Sequence, residues 1–238
     1  DGRMFMVQGL PGVANTAGQL VEIDPGTGAQ TAVGNDGIPD IDPAATPPNM
    51  QQLTSDGIDA LAYQRAGVAD YNLYYSIAGA RRGPGVDSNS STLYRANPAS
   101  GSAAVADGQP WGRRGEIYNQ TPGDMGRTTG MAFIGGVLYG VCDQGYFYQI
   151  STGSGRVIGT PVNLGTPLSG LAIGPQNLQD GDFANILFAT SSGGQLFALN
   201  TSGVLQPVFS GGATSANLGT SPVGLAFSVM DFNLWHPT

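Results

Sequence analysis

Three short patterns of apolar and polar positions recur along the chain in a constant order. The first sets a small residue ahead of alternating apolar ones: Gly57-Ile58-Asp59-Ala60-Leu61-Ala62-Tyr63, Gly130-Met131-Ala132-Phe133, Gly170-Leu171-Ala172-Ile173 and Gly224-Leu225-Ala226-Phe227. The second is an apolar and aromatic run: Arg3-Met4-Phe5-Met6-Val7, Asn72-Leu73-Tyr74-Tyr75-Ser76, Val137-Leu138-Tyr139-Gly140-Val141 and Ile186-Leu187-Phe188-Ala189-Thr190. The third alternates and then turns: Gln19-Leu20-Val21-Glu22-Ile23, Thr92-Leu93-Tyr94-Arg95-Ala96, Tyr146-Phe147-Tyr148-Gln149-Ile150 and Gln195-Leu196-Phe197-Ala198-Leu199. A period of two marks a strand, and no stretch carries a convincing helical period. We denote these strand types A, B and C.

Each C strand ends in similar punctuation: Asp24-Pro25-Gly26-Thr27-Gly28, Asn97-Pro98-Ala99-Ser100-Gly101, Ser151-Thr152-Gly153-Ser154-Gly155 and Asn200-Thr201-Ser202-Gly203. Asp, Asn or Ser opens such a turn by bonding its own backbone, and the closing Gly takes the positive φ of a bulged hairpin. A fourth strand, D, is therefore predicted at about 29–33, 102–106, 156–160 and 204–209. Four antiparallel strands recurring four times predict an all-β fold, a β-propeller of four-stranded blades. The blades are expected at about 3–33, 57–106, 130–160 and 169–209, with 223–236 either starting a further blade or closing the first.

Successive A strands begin 73, 40 and 54 residues apart, at Gly57, Gly130, Gly170 and Gly224. The 40-residue unit is a bare blade. The others carry insertions at 34–55, 78–91, 108–128 and 176–184, rich in Gly, Pro, Asp and Asn, which read as surface loops. Asp231-Phe232-Asn233-Leu234-Trp235-His236 lines up with Phe183-Ala184-Asn185-Ile186-Leu187-Phe188 as a B strand cut short. A closed four-bladed ring has no place for a trailing B strand, and exposed edges are hazardous. The expectation is a window on a larger propeller.

Gly174-Pro175-Gln176-Asn177-Leu178 ahead of Ile186–Thr190, with Gly224-Leu225-Ala226-Phe227-Ser228 leading into Phe232-Asn233-Leu234-Trp235-His236-Pro237-Thr238, resembles the propeller-like repeats of very large secreted or cell-surface proteins of planctomycete-type bacteria. The resemblance covers mainly residues 130–238 and carries no assigned activity. It implies a place within a much longer chain, at or beyond the cell surface. The paired Gly-His and Trp-Asp of WD40 repeats, the kelch pattern, the Trp docking motif of quinoprotein dehydrogenases and the sialidase Asp-box are not found.

Composition narrows the function. The nine basic residues are all Arg, against 17 acids, for a net charge of -8. That balance argues against a nucleic-acid backbone or an anionic membrane face as partner. No apolar run approaches the ~18 residues of a membrane span, so no membrane insertion is expected. With one His, His236, and one Cys, Cys142, neither a catalytic triad nor a His-rich or Cys-rich metal site can be assembled. Cys142 reads as a small buried hydrophobe, and the chain as no enzyme.

Two clusters remain. Asp36, Asp40 and Asp42 put three carboxylates within seven residues of a loop, the oxygen-rich setting calcium takes, although Asp is equally a turn former. Asp180-Gly181-Asp182 is a smaller version. Arg81, Arg82, Arg113, Arg114 and Arg127 gather around the second blade, with Trp111 beside Arg113. Arg and Trp are enriched in protein interfaces, which makes Trp111, Arg81, Arg82, Arg113 and Arg114 candidate partner-binding residues; internal pairing with Asp87, Asp107, Glu116 or Asp124 is the other reading. The aromatics Phe5, Tyr74, Tyr139 and Phe188 of the B strands, with Tyr94, Phe147 and Phe197 of the C strands, are expected to pack between blades rather than to stack sugars. Sequons at Asn89, Asn119 and Asn200 lie in or near loops or turns.

The expected function is a non-catalytic structural or protein-interaction propeller module, extracellular or at the cell surface. Its partners would be other protein chains or other domains of the same large polypeptide. The alternatives are a carbohydrate- or calcium-binding propeller domain, or a non-catalytic domain of a secreted hydrolase.

Overall fold

The computed structural model describes residues 4–8, 19–24, 27–32, 58–65, 71–78, 91–96, 113–118, 125–175, 181–222 and 224–225. The chain divides into two compact units, Arg3–Thr128 with Ile150–Ile158, and Thr129–Gln149 with Gly159–Thr238. All fifteen strands described belong to antiparallel meanders. The first sheet holds β1 (Met4–Gln8), β2 (Gln19–Ile23) and β3 (Gln30–Ala32), in that order. The second holds β4 (Ile58–Arg65), β5 (Tyr71–Ala78), β6 (Ser91–Ala96) and β7 (Arg113–Glu116). The third runs through β8 (Thr128–Ile134), β9 (Val137–Cys142), β10 (Tyr146–Ile150) and β11 (Val157–Asn163). The fourth is β12 (Leu168–Ile173), β13 (Leu187–Ser191), β14 (Gln195–Leu199) and β15 (Ser215–Asn217). These sheets are the blades of a β-propeller, and the chain is all-β as the strand patterns predict.

The A, B and C strands of the described sheets fall where alternation places them, while of the last A segment only Gly224 and Leu225 are described, outside any strand. The register of the A strand of the second blade differs from the pattern. Ala60 pairs with Ser76 and Leu61 with Tyr75, as Gly170 pairs with Thr190 and Leu171 with Ala189. Ala60, not Gly57, is therefore the counterpart of Gly170. In both A strands the pairing shifts just before this position, between Ile58 and Ala60 and between Leu168 and Gly170. The extra residue of such a bulge, Asp59 or Ser169, is left out of the ladder and freed for other bonds.

Two D strands also lie elsewhere. In the second blade the strand paired with β6 is Arg113–Glu116, inside the segment read as an insertion, while 102–106 is outside the described residues. In the fourth blade Ser215–Asn217 pairs with β14, and the predicted 204–209 contributes an isolated bridge from Leu205 to Leu199. Short outer strands carry little apolar alternation, so the turn after strand C signals a reversal without fixing where pairing resumes.

In the second unit, one face of the third sheet and one of the fourth share a core of Ala132, Ile134, Tyr139, Val141, Phe147, Leu168, Leu171, Leu187, Ala189, Phe197 and Leu199. The recurrent Gly of the A strands has its cause here. A methyl on Gly130 would strike the Gly170–Leu171 backbone, and one on Gly170 would sit 2.8 Å from the Leu225 nitrogen. At Gly130 and Gly170 the inner strands of the second unit approach until backbone meets backbone, which only Gly permits.

A further repeat ties each D strand to the next A strand. Asn163-Leu164-Gly165-Thr166 and Asn217-Leu218-Gly219-Thr220 make the same bonds. Gly165 N donates to Asn163 Oδ1 at 2.7 Å and Gly219 N to Asn217 Oδ1 at 2.8 Å. Leu164 N then donates to Gly145 O at 2.9 Å, and Leu218 N to Gly194 O at 2.8 Å.

Candidate interaction surface

Chemistry on a propeller is sought first among polar side chains of the inner strands, and here these are engaged in joining strands. Asp59, the bulge residue of β4, has a side chain only 1% exposed and is ion-paired with Arg127, which is 41% exposed and lies just ahead of β8. The carboxylate is thus the desolvated partner, and the Arg supplies the compensating charge that burial demands. Thr129, the residue at the same position of β8, donates its hydroxyl to Leu168 O at 2.8 Å. Ser169 in β12 donates to Thr190 Oγ1 at 3.1 Å. Around Thr128, Ser76 Oγ donates to the carbonyl at 3.4 Å, and the amide donates to Ser91 Oγ at 2.9 Å.

The thiol is withdrawn as well. Cys142 is fully buried at the end of β9, and burial pushes its pKa up to about 11, with the Asp143 charge adding and backbone bonds from Tyr146 and Gln144 opposing. A thiol held neutral is a poor nucleophile and metal ligand. The described aromatics of the B and C strands are buried, and their ring contacts lie within a blade. Tyr75 stacks on its cross-strand partner Tyr94 at 5.2 Å and Tyr139 on Phe147 at 5.5 Å. Phe188 meets Phe183 and Phe209 edge-on. Tyr74, Tyr94, Tyr139, Phe147, Phe188 and Phe197 are all buried, which leaves none of them as a sugar platform.

Of the candidate partner-binding residues, Arg81, Arg82 and Trp111 lie outside the described residues, and Arg113 begins β7. Arg114, at 8% exposure, is buried at the bulge where Leu93 pairs with Gly115 and Tyr94 with Arg113. Arg127 pairs with Asp59, a partner 68 residues away that local charge pairing does not suggest. The calcium candidates Asp36, Asp40 and Asp42 lie outside the described residues, as does Asp180. Among the described residues no group of three or more His, Cys, Asp or Glu side chains stands close enough to hold a metal. Asp59, Thr129 and Ser169 were missed in the sequence; their shared position one residue before the small A-strand residue is the signal that finds them.

Among the described residues, Tyr63, Tyr118 and Ile158 are exposed large apolar residues in the first unit, and Val204, Leu205 and Leu218 in the second. Tyr63 lies on β4 and the others on turns and outer strands, and β11 carries Pro161, whose missing N–H blunts an edge.

No family model and no curated protein matches the chain. Solved structures do. BBS1N in complex with ARL6DN aligns with 11% identity and a TM-score of 0.48, over 96% of this chain and 58% of that one. The computationally designed Ika4 protein gives 12% identity and 0.42, over 72% and 79%. Sqt1 of Saccharomyces cerevisiae gives 11% identity and 0.41, over 91% and 48%. The chain thus spans roughly half of the two natural proteins. The class that its own sheets define is a propeller scaffold.

Proposed function

We propose that the chain is a non-catalytic propeller module of a large extracellular bacterial protein, presenting turns and loops of unequal length to other protein chains. The observation that carries this reading is the use made of the inner-strand polar groups. Asp59, Thr129 and Ser169 each make an internal bond, so the blade positions from which a propeller would act on a substrate serve cohesion instead. The blades differ from one another in their connections, from the two-residue turn between β8 and β9 to the segment of 34–55. Variable loops on a constant frame are where recognition resides. The acidic surface, the lack of Lys and the resemblance to repeats of giant surface proteins supply the extracellular setting.

Immunoblotting source cells before and after protease treatment of the intact surface tests it. The expected result is a band far larger than these 238 residues that disappears on surface digestion. A band of the size of this chain alone, protected inside the cell, contradicts the proposal.

A further inference from the structure

Three asparagines of the second unit make the same local bond. Asn163 Oδ1 accepts from Gly165 N at 2.7 Å, Asn217 Oδ1 from Gly219 N at 2.8 Å and Asn200 Oδ1 from Ser202 N at 3.0 Å. Each side chain bonds the amide two residues on, a turn that Asn forms readily. The residue at that second position separates them. It is Gly in Asn163-Leu164-Gly165 and in Asn217-Leu218-Gly219, but Ser in Asn200-Thr201-Ser202, so of these turns only the last is also an Asn-x-Ser acceptor sequence. The sequons at Asn89 and Asn119 lie outside the described residues.

The Asn200 turn, which leaves the end of β14, is fixed in place. Asn200 N donates to Val204 O at 3.0 Å and Gly203 N to Asn200 O at 2.9 Å. Gly203, with φ of 77°, is buried, and a methyl placed on it would lie 2.9 Å from both Phe147 and Val162. The rest of the turn is open to solvent. Thr201 and Ser202 are exposed, and Val204, at 57%, is the most exposed large apolar side chain among the described residues.

Val204 N gives Asn200 Oδ1 a second donor, at 2.9 Å. Two backbone donors on one atom identify it as the oxygen and occupy both of its lone pairs. The amide nitrogen takes no part in these bonds. Donors on the oxygen draw electron density out of the carboxamide, which makes an Nδ2 proton easier to lose. Val204, bonded to Asn200 in both directions, sets an exposed apolar residue next to this amide, where the apolar face of a first sugar would cover it.

We propose that Asn200 is a site of N-linked glycosylation. The donor is a lipid-diphosphate-linked oligosaccharide, and the catalyst an oligosaccharyltransferase of the source cell. In the transfer the bond from Nδ2 to the anomeric carbon forms as the bond from that carbon to the diphosphate oxygen breaks. The lipid diphosphate leaves with the bonding pair, one Nδ2 proton passes to a base of the transferase, and nothing is oxidised or reduced. Such transfer acts on exported chains, so the site deepens the surface module proposed above and rests on that reading.

Peptide mass spectrometry of the full-length protein from source cells, as wild type, Ser202→Ala and Asn200→Asp, tests it. Ser202→Ala keeps the backbone N–H that bonds Oδ1, and Asn200→Asp keeps an acceptor oxygen, so both retain the turn and lose the sequon; circular dichroism and melting curves show that both fold. The wild-type peptide containing Asn200 is expected to carry the added mass of a glycan, those containing Asn163 and Asn217 none, and both variants none at position 200. A sugar on this peptide that survives in both variants overturns the assignment to Asn200. A bare Asn200 in protein that the intact-cell digestion places at the surface overturns the glycosylation site alone. Protein that the digestion finds protected inside the cell overturns the surface module and the site together.

Discussion

Cys142 sits at the end of β9 with no exposure, and its thiol titrates near 11 because the anion would have to form inside the core. Between the ordinary thiol value and about 11, the unfolded chain has given up a proton that the folded chain still holds. The resulting stabilisation is complete below that window and is lost as pH rises through it, on the order of 2–3 kcal/mol in all. Urea unfolding of wild type and Cys142→Ala at pH values on either side of the window is expected to show the wild-type advantage shrinking with alkalinity; a constant difference contradicts it. The burial of this thiol was legible from its place in an apolar strand. The Asp59–Arg127 pair was not, since local spacing says nothing about a contact made by a bulge residue with a segment 68 residues on. Arg114 shows the same limit: charge left both an interface and an internal pairing open, and only the pairing of β7 places it inside.

Strand elements were readable to the extent that one face of each is buried. The A, B and C strands carry clean alternation, and hairpin turns with Asp, Asn or Ser at one end and Gly at the other punctuate them. The D strands lie at the rim, with burial such as that of β11, mostly half-buried or exposed, and so impose no pattern. The Asn-Leu-Gly-Thr repeat at 163–166 and 217–220 was a usable marker of where β11 and β15 end. The Gly at 130 and 170 in the A strands was visible as a repeat, but its reason is tertiary: backbone contact with the neighbouring inner strand. Gly170→Ala is therefore expected to cost about 1–3 kcal/mol, the scale of overpacking against a rigid neighbour. Thermal or urea unfolding measures it, and a neutral or stabilising result contradicts the close approach.

At the scale of the whole molecule, four meander sheets with polar pins on the inner strands make a frame whose freedom lies in its connections. Function was less legible than fold because no single side chain carries it. Arg81, Arg82, Trp111, Asp36, Asp40 and Asp42 occupy loops, where sequence supplies composition but not placement. The account depends on the inner strands of the second unit lying side by side in chain order. Two nuclear Overhauser contacts report that arrangement most directly, from the Gly130 α-protons to the Leu171 amide proton and from the Gly170 α-protons to the Leu225 amide proton. Propeller blades predict both cross-peaks, whereas a spectrum in which these glycine protons see only their own sheet contradicts the stacking of blades.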